Sequence, residues 1–213
     1  AALPIGFTFG ADRWLRRWKE ERSAAPVPGP SPEGLQPHVR ETARWLWYIY
    51  LGLTVAEITL LWVFTPMGGF DAICHTFATL ATGGFSTQNA GIGTYYHTPA
   101  VDAIIIVFMI LAGINFSLHY QVMRGRPLAF WRDSECRFFL GAVLVLVLLV
   151  SFDVYGAVYR SVGQALRYGT FQVVSIVTTT GFATADYEIW PAMSQLIILL
   201  CMFIGASAGS TGG

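Results

Sequence analysis

Long apolar runs separated by polar segments dominate the chain from about residue 45 onward. Three of them, Trp45–Phe64, Val101–Tyr120 and Phe138–Val158, are long enough to cross a bilayer as helices, since about 20 apolar residues span its hydrocarbon core. Two others, Phe70–Leu80 and Ala165–Val177, are too short to do so. The pattern predicts an all-α polytopic membrane protein in which spanning helices alternate with short helices that enter the membrane partway.

The two short apolar runs lead into similar sequences. Residues 81–87 form the first motif and residues 178–184 the second motif, and the two align on a Gly-Phe pair. Each motif is followed by a proline at the head of a further apolar run, at Pro99 and Pro191. An internal repeat of this kind decides the architecture of a chain. The order of span, short helix, motif and span therefore predicts one structural unit that is used twice.

These boundaries divide the chain into four predicted segments. Residues 1–44 form a juxtamembrane segment and linker, 45–123 a pore repeat, 124–137 a basic connector and 138–213 the next pore repeat. The first ten residues fit the tail of a preceding repeat. The final repeat stops inside the glycine-rich segment, residues 205–213, so we expect the chain to be a fragment of a longer protein.

Basic residues predict the orientation. Arg and Lys gather before the first span and in the connector, whereas residues 65–100 and 179–213 contain none. Cytoplasmic segments of membrane proteins are enriched in Arg and Lys. We therefore expect both basic segments in the cytoplasm and both motifs open to the outside, with Arg160 and Arg167 as exceptions on the outer side.

Composition supports a membrane protein and argues against other classes. Of 213 residues, 54% are hydrophobic and 12% charged, with zero formal net charge, whereas a soluble domain carries about 25% charged residues. This neutral balance gives no indication of a nucleic-acid partner. Cys74, Cys136 and Cys201 lie far apart, which indicates neither a disulfide framework nor a zinc site. The His residues and hydroxyls show no spacing typical of a catalytic site, so we expect no enzyme activity.

The motifs carry the candidate chemistry. Irregular backbone at membrane depth is tolerated only inside protein or along a water-filled path. Glycine adopts positive φ, so Gly84 and Gly181 can turn successive carbonyls to one side, where they can replace the water shell of a cation. The alternative is that both motifs are tight turns between packed helices. That alternative leaves the short helices and the repeat unexplained, and we favour a pore.

Together the two motifs and the glycine-rich segment resemble the Trk/Ktr/HKT superfamily of potassium transporters, closest to its bacterial TrkH type. The resemblance runs from about residue 29 to the end and implies the second repeat and most of the third repeat of a four-repeat pore. The implied selectivity-filter residues are Thr82, Gly83, Gly84, Phe85, Thr179, Thr180, Gly181 and Phe182. The implied gate, an intramembrane loop below the filter, comprises Gly205, Ala206, Ser207, Ala208, Gly209, Ser210, Thr211, Gly212 and Gly213.

The same resemblance implies a function and partners. It implies potassium uptake through the inner (plasma) membrane, with K⁺ held at filter carbonyls only and with no covalent cofactor. Rb⁺ and Na⁺ are further candidate ions, and a Na⁺-coupled or Na⁺-permeable Ktr- or HKT-like transporter stays open as an alternative. A homodimer and a cytoplasmic nucleotide-binding regulatory subunit of the TrkA type are also implied.

Some polar residues lie in or beside the apolar runs. Glu57 is in the middle of a span, and such a carboxyl is either neutral or paired with a neighbouring repeat. We expect Asn115 and His119 to form hydrogen bonds between helices and His75 to be a packing contact. Asp71 is predicted to be the N-cap of the first short helix.

Overall fold

The computed structural model describes residues 32–89, 91–95 and 98–212, with side chains from residue 43 onward except 94 and 95. The first ten residues, predicted as the tail of a preceding repeat, most of the basic residues before the first span, most of the linker and Gly213 lie outside the described residues. The chain divides into two units, Ala1–Thr42 and Ala43–Gly213. Of the first unit, only the start of one helix is described.

The described residues form nine α-helices and one 3₁₀-helix and contain no β-strand. In chain order they are α1 (Pro32–Phe64), α2 (Gly69–Leu80), α3 (Gly91–Tyr95), α4 (Pro99–Gly113), α5 (Phe116–Met123), α6 (Ala129–Arg132), α7 (Ser134–Val154), α8 (Val162–Val177), the 3₁₀-helix (Tyr187–Ile189) and α9 (Ala192–Cys201). This confirms the all-α fold class that the hydropathy pattern predicts.

Spanning and short helices alternate as predicted. Within the described ranges, the Ala43–Phe64 part of α1 and the whole of α7 are long and apolar enough to cross a membrane. Helices α4 and α5 meet the same criterion together, as one pair bent by 97°. Helices α2 and α8 match the two short apolar runs. The protein is therefore a multi-pass helical membrane protein.

The second predicted span, Val101–Tyr120, is broken in the structure, although the hydropathy pattern predicts a continuous helix. Ile114, between α4 and α5, has an extended backbone with φ −88° and ψ 146°. Asn115 then starts α5 as its N-cap, because its side chain accepts a hydrogen bond of 2.8 Å from the backbone N–H of Ser117. This contact of the Asn115 side-chain oxygen lies within its own helix, and the predicted hydrogen bond to another helix stays a prediction. An extended residue followed by an N-cap interrupts the helix, and it frees backbone groups that need other partners.

His119 also differs from its prediction. Its Nδ1 lies 3.3 Å from the Asn115 carbonyl of its own helix. The ring is stacked on Phe116 and lies edge-on to Phe130, with centroid distances of 5.3 Å in both cases. Its observed role in the described part of the chain is thus aromatic packing between α5 and the connector.

Helix α8 is the centre of the second unit. It packs against α7, α4 and α9, while α2 packs against α4. Phe171 and Val174 of α8 are fully buried. Gly169 allows the close approach of α7, because an added Cβ would lie 2.7 Å from the Ser151 hydroxyl. Helix α8 is therefore held by protein on several sides and supports the second motif at its end.

Candidate functional site

Both motifs begin where a short helix ends, and they share one hydrogen-bond pattern. In the first motif, the N–H groups of Gly83 and Gly84 donate to the Ala78 carbonyl, at 2.8 and 3.2 Å. In the second, the N–H groups of Thr180 and Gly181 donate to the Ser175 carbonyl, at 2.9 and 3.1 Å. The N–H groups thus face the short helix. Since N–H and C=O of a trans peptide point in opposite directions, the carbonyls one residue earlier face away from it.

The backbone angles repeat as well. Thr82 and Gly84 have φ of +49° and +63°, and Thr179 and Gly181 have φ of +60° and +84°. The residues between them, Gly83 and Thr180, do not have positive φ. Positive φ at a threonine costs about 1–3 kcal/mol and persists only where the surroundings impose it. Its presence at the same place in both motifs shows that the two share one backbone form.

The two motifs lie against each other. A Cβ added to Gly84 would overlap the carbonyl oxygen of Thr180 and lie 3.1 Å from the carbonyl carbon of Gly181. Gly93, which follows the first motif in sequence, is in close contact with the backbone of Thr184 at the end of the second motif. The carbonyls of the second motif therefore approach the backbone of the first, as neighbouring segments around one axis would.

Helix α2 holds the C-terminal part of the first motif through side chains. Asp71 accepts a hydrogen bond of 2.7 Å from the Thr87 hydroxyl, and His75 Nε2 lies 3.0 Å from the Ser86 hydroxyl. The N-cap of α2 is Gly68, so the prediction that Asp71 caps this helix was wrong. His75 is more than a packing contact, because it forms hydrogen bonds to both the helix and the motif.

The second motif is held differently. Ser175 of α8 donates a hydrogen bond of 2.6 Å to the Phe182 carbonyl, and the hydroxyls of Thr178 and Thr180 lie 2.9 Å apart. Phe182 is 2% exposed, whereas Phe85, at the same place in the first motif, is 81% exposed. The two copies therefore share their backbone form but not their side-chain support.

The glycine-rich segment is bound to the break between α4 and α5. The backbone N–H groups of Ser207 and Thr211 donate to the carbonyls of Gly113 and Ala112, both at 3.1 Å. In return the N–H of Phe116 donates to the Gly209 carbonyl at 3.0 Å. The backbone N–H and C=O groups that the helix break leaves unpaired thus form hydrogen bonds with the glycine-rich segment.

The glycine-rich segment also contacts the start of both motifs. The Thr82 hydroxyl donates to the Thr211 carbonyl at 3.2 Å, and a Cβ on Gly212 would lie 2.9 Å from the Thr178 carbonyl oxygen. A third contact comes from the connector, where the Glu135 carboxylate accepts a hydrogen bond of 2.7 Å from the Ala208 N–H. The segment therefore lies at the end of the motifs next to the short helices.

Glu57 takes part in none of the contacts described above. Its side chain is fully buried, and neither carboxyl oxygen has a hydrogen-bond partner among the described residues. Thr79 of α2 is a polar neighbour. The carboxyl thus lies behind the helix that leads into the first motif.

Comparisons with known proteins show which family the chain resembles. The sequence model of the TrkH family, described as a cation transport protein, matches residues 33–213. The Trk system potassium uptake protein TrkH of Escherichia coli K12 is 43% identical over 192 residues, which are 89% of this chain and 39% of that protein. The Trk system potassium uptake protein TrkG of the same strain is 35% identical over 189 residues, which are 88% of this chain and 39% of that protein.

A solved structure is similar too. The crystal structure of the potassium transporter TrkH from Vibrio parahaemolyticus aligns with a TM-score of 0.78 at 38% identity, covering 88% of this chain and 39% of that chain. The chain thus spans about two fifths of the length of these relatives. With a family match across most of its residues and a matching fold, the chain belongs to the TrkH family of cation transport proteins.

Proposed function

We propose that the chain forms part of a potassium-uptake pore, with residues 45–123 and 138–213 as two of its repeats. The observation that carries this proposal is the repeated backbone form of the motifs. In both copies, peptide N–H groups face the short helix, and the carbonyls of Thr82, Gly83, Thr179 and Thr180 face away from it. Carbonyl oxygens so arranged can replace the hydration shell of a K⁺ ion.

The short helices support this assignment electrostatically. Helices α2 and α8 both end at a motif, at Leu80 and Val177. The C-terminus of a helix carries a partial negative charge, so both helices favour a cation at the motifs. The names of the relatives, which are potassium uptake proteins, favour K⁺ as the transported ion. This activity is transport rather than catalysis.

The glycine-rich segment is proposed as the gate. It contacts both motifs at one end, so an ion leaving the filter on that side has to pass it. The glycine-rich segment is bound to α4 and α5 mostly by backbone hydrogen bonds. Such bonds can break and re-form without changes in side-chain packing. Opening would then separate this segment from the broken helix.

The setting of the pore is proposed from family membership and charge. We place both motifs open to the outside and the connector, residues 124–137, in the cytoplasm of a cell with the protein in its inner membrane. Two copies are proposed to associate and to bind a cytoplasmic nucleotide-binding subunit of the TrkA type. The exposed arginines of the connector, among them Arg126 and Arg132, suit a cytoplasmic side.

The proposed function is tested by uptake of Rb⁺ and Na⁺ by the full-length protein in cells that lack their own potassium uptake systems. We expect wild type to restore Rb⁺ uptake and Gly181→Ser to reduce the Rb⁺/Na⁺ uptake ratio by about tenfold, because strain at a filter residue disturbs the carbonyl positions. Gly125→Ser is the matched control. Gly125, in the connector, also has φ +84° and no atom within 4 Å of an added Cβ.

The control separates backbone strain from filter chemistry. Both glycine substitutions carry the same conformational cost, so Gly125→Ser should keep the wild-type uptake ratio. Equal ratios in wild type and Gly181→Ser would mean that the second motif is a packing turn, and the pore assignment would then be abandoned.

Glu135→Ala is expected to raise resting potassium flux. It removes the acceptor for the Ala208 N–H, and the loss of one exposed hydrogen bond shifts an equilibrium by about fivefold. Resting flux in liposomes should rise by about that factor with an unchanged K⁺/Na⁺ ratio. Glu135→Gln keeps an acceptor oxygen and should behave as wild type. Unchanged or lower flux in Glu135→Ala would show that this contact does not hold the gate shut.

A further inference from the structure

The two motifs differ in the side chains that brace them, although their backbones match. The two repeats are aligned on Gly84 and Gly181. The bracing side chains differ at four aligned positions, which lie nine, six and three residues before the glycine and two residues after it. The pairs, first motif against second, are His75 and Gln172, Ala78 and Ser175, Ala81 and Thr178, and Ser86 and Ala183. The second motif is braced from the hydroxyls of Ser175 and Thr178. The first has alanines at both places, so its bracing has to come from elsewhere.

Asp71 supplies part of that bracing through its hydrogen bond to Thr87, and His75 supplies the rest. Its side chain is fully buried in α2, and its Nδ1 lies 2.7 Å from the Asp71 carbonyl oxygen. A carbonyl only accepts hydrogen bonds, so Nδ1 carries a hydrogen. In the neutral ring Nε2 is then the acceptor, and it receives the hydrogen of the Ser86 hydroxyl at 3.0 Å.

The chain of hydrogen bonds continues beyond Ser86. Its hydroxyl oxygen accepts a hydrogen bond of 3.1 Å from the backbone N–H of Gln88. The sequence of contacts therefore runs from the loop outside the motif, through Ser86 and His75, to the backbone of α2. This fixes the chain on the outer side of Gly84 and Phe85 to the short helix.

The same ring reaches the second motif. The centroids of the His75 and Phe182 rings are 6.1 Å apart, with an interplanar angle of 36°. At the matching place in α8, Gln172 is buried with its Oε1 lacking a partner among the described residues, and Ala183 offers no hydroxyl. Of these two matching positions, His75 of the first repeat is the one whose ring contacts the opposite motif.

We propose that His75 is a positioning residue for ion selection: its hydrogen bonds fix the outer half of the first filter to α2. This rests on the proposed function, because it assigns a role within the same filter. Selection of K⁺ over Na⁺ depends on the distance and rigidity of the oxygens around the ion. A filter segment released from its support can close around the smaller Na⁺.

Two substitutions separate the contacts of His75. His75→Asn places a polar atom near the position of Nδ1 and keeps the contact to Asp71 but not the one to Ser86. His75→Gln extends one atom further and keeps the contact to Ser86. Ser86→Ala removes the contact to His75 from the partner side, together with the acceptor for the Gln88 N–H, at a half-buried position outside the core. Gln172→Ala is the matched control in the second repeat.

The test measures Rb⁺ and Na⁺ uptake by the full-length protein in liposomes at equal protein amounts. We expect His75→Asn and Ser86→Ala each to lower the Rb⁺/Na⁺ ratio by about tenfold, the scale of one lost buried hydrogen bond. The Rb⁺/Na⁺ ratio of the double variant should equal that of Ser86→Ala alone, because Ser86→Ala already removes the contact between the two residues. His75→Gln and Gln172→Ala should keep the wild-type ratio.

The outcomes distinguish this inference from the proposed function. If wild type itself shows no preference for Rb⁺ over Na⁺, the potassium pore is refuted and this inference with it. If wild type is selective but Ser86→Ala or folded His75→Asn keeps its ratio, the role of His75 is refuted and the pore stands. Additive losses in the double variant also refute it, because a structural histidine would act independently of Ser86. Should His75→Asn fail to fold, Ser86→Ala and its ratio decide the matter.

Discussion

Replacing Gly84 with alanine is expected to abolish potassium uptake. An added Cβ would overlap the Thr180 carbonyl oxygen, and it would lie 3.1 Å from the carbonyl carbon of Gly181. The clash is with backbone, which cannot rotate aside as a long side chain can. The positive φ of +63° adds a further cost of about 1–2 kcal/mol for any residue with a Cβ. The two motifs would have to separate, and the backbone carbonyls of the proposed filter would move with them.

The matched variant is Gly181→Ala, at the same place in the second motif. Its φ of +84° carries a similar conformational cost, but no atom lies within 4 Å of the added Cβ. We therefore expect Gly181→Ala to retain measurable Rb⁺ uptake, while Gly84→Ala retains less than about a hundredth of the wild-type rate. Uptake is measured in cells without their own uptake systems and is normalised to protein in the membrane. Equal losses of Rb⁺ uptake in the two variants would show that uptake does not depend on the close approach of the motifs.

Replacing Asp102 with alanine is expected to destabilise the protein by about 3–5 kcal/mol. The Arg167 guanidinium donates to Asp102 at 2.6 Å, and the two side chains are 20% and 3% exposed. Loss of one member of such a buried pair leaves the other charge without compensation. Since proteins are stable by only about 5–15 kcal/mol, most of the protein should be lost from the membrane or unfold at lower temperature.

The measurement is the temperature at which the detergent-solubilised protein loses its native size, together with its amount in the membrane. Asp102→Asn keeps an oxygen acceptor and should lose less. Replacing both partners, Asp102→Ala with Arg167→Leu, should recover part of the loss, because no unpaired charge remains. A double variant no more stable than Asp102→Ala alone would show that the charge of Arg167 is not the cause.

This ion pair also connects the fold to the site. Asp102 is in the first turn of α4 and Arg167 is in α8, so the pair fixes the helix that leads into the second motif. It explains why Arg167 departs from the predicted distribution of basic residues. A sequence signal was present, since each is the single Asp, Glu, Lys or Arg of its apolar run. The sequence did not indicate that the two segments are neighbours.

Much of the architecture could be predicted from the sequence because it depends on local composition. Apolar length predicts which segments cross a bilayer, and α1 and α7 follow that prediction closely. The Gly-Phe pairs and their short helices repeat in sequence, and the backbone repeats with them in hydrogen bonds and in the sign of φ. The roles of the filter and gate residues stay predictions, to be decided by the uptake experiments.

What the sequence by itself determined is therefore the repeated unit of span, short helix, glycine motif and span. Only the tertiary structure decided the break at Ile114, the bracing of the first motif by His75 and the contact of Glu135 with the glycine-rich segment. The physical reason is the range of the interactions. Hydropathy and glycine conformation act within one segment, whereas these features depend on backbone and side-chain groups whose partners come close only when the helices pack.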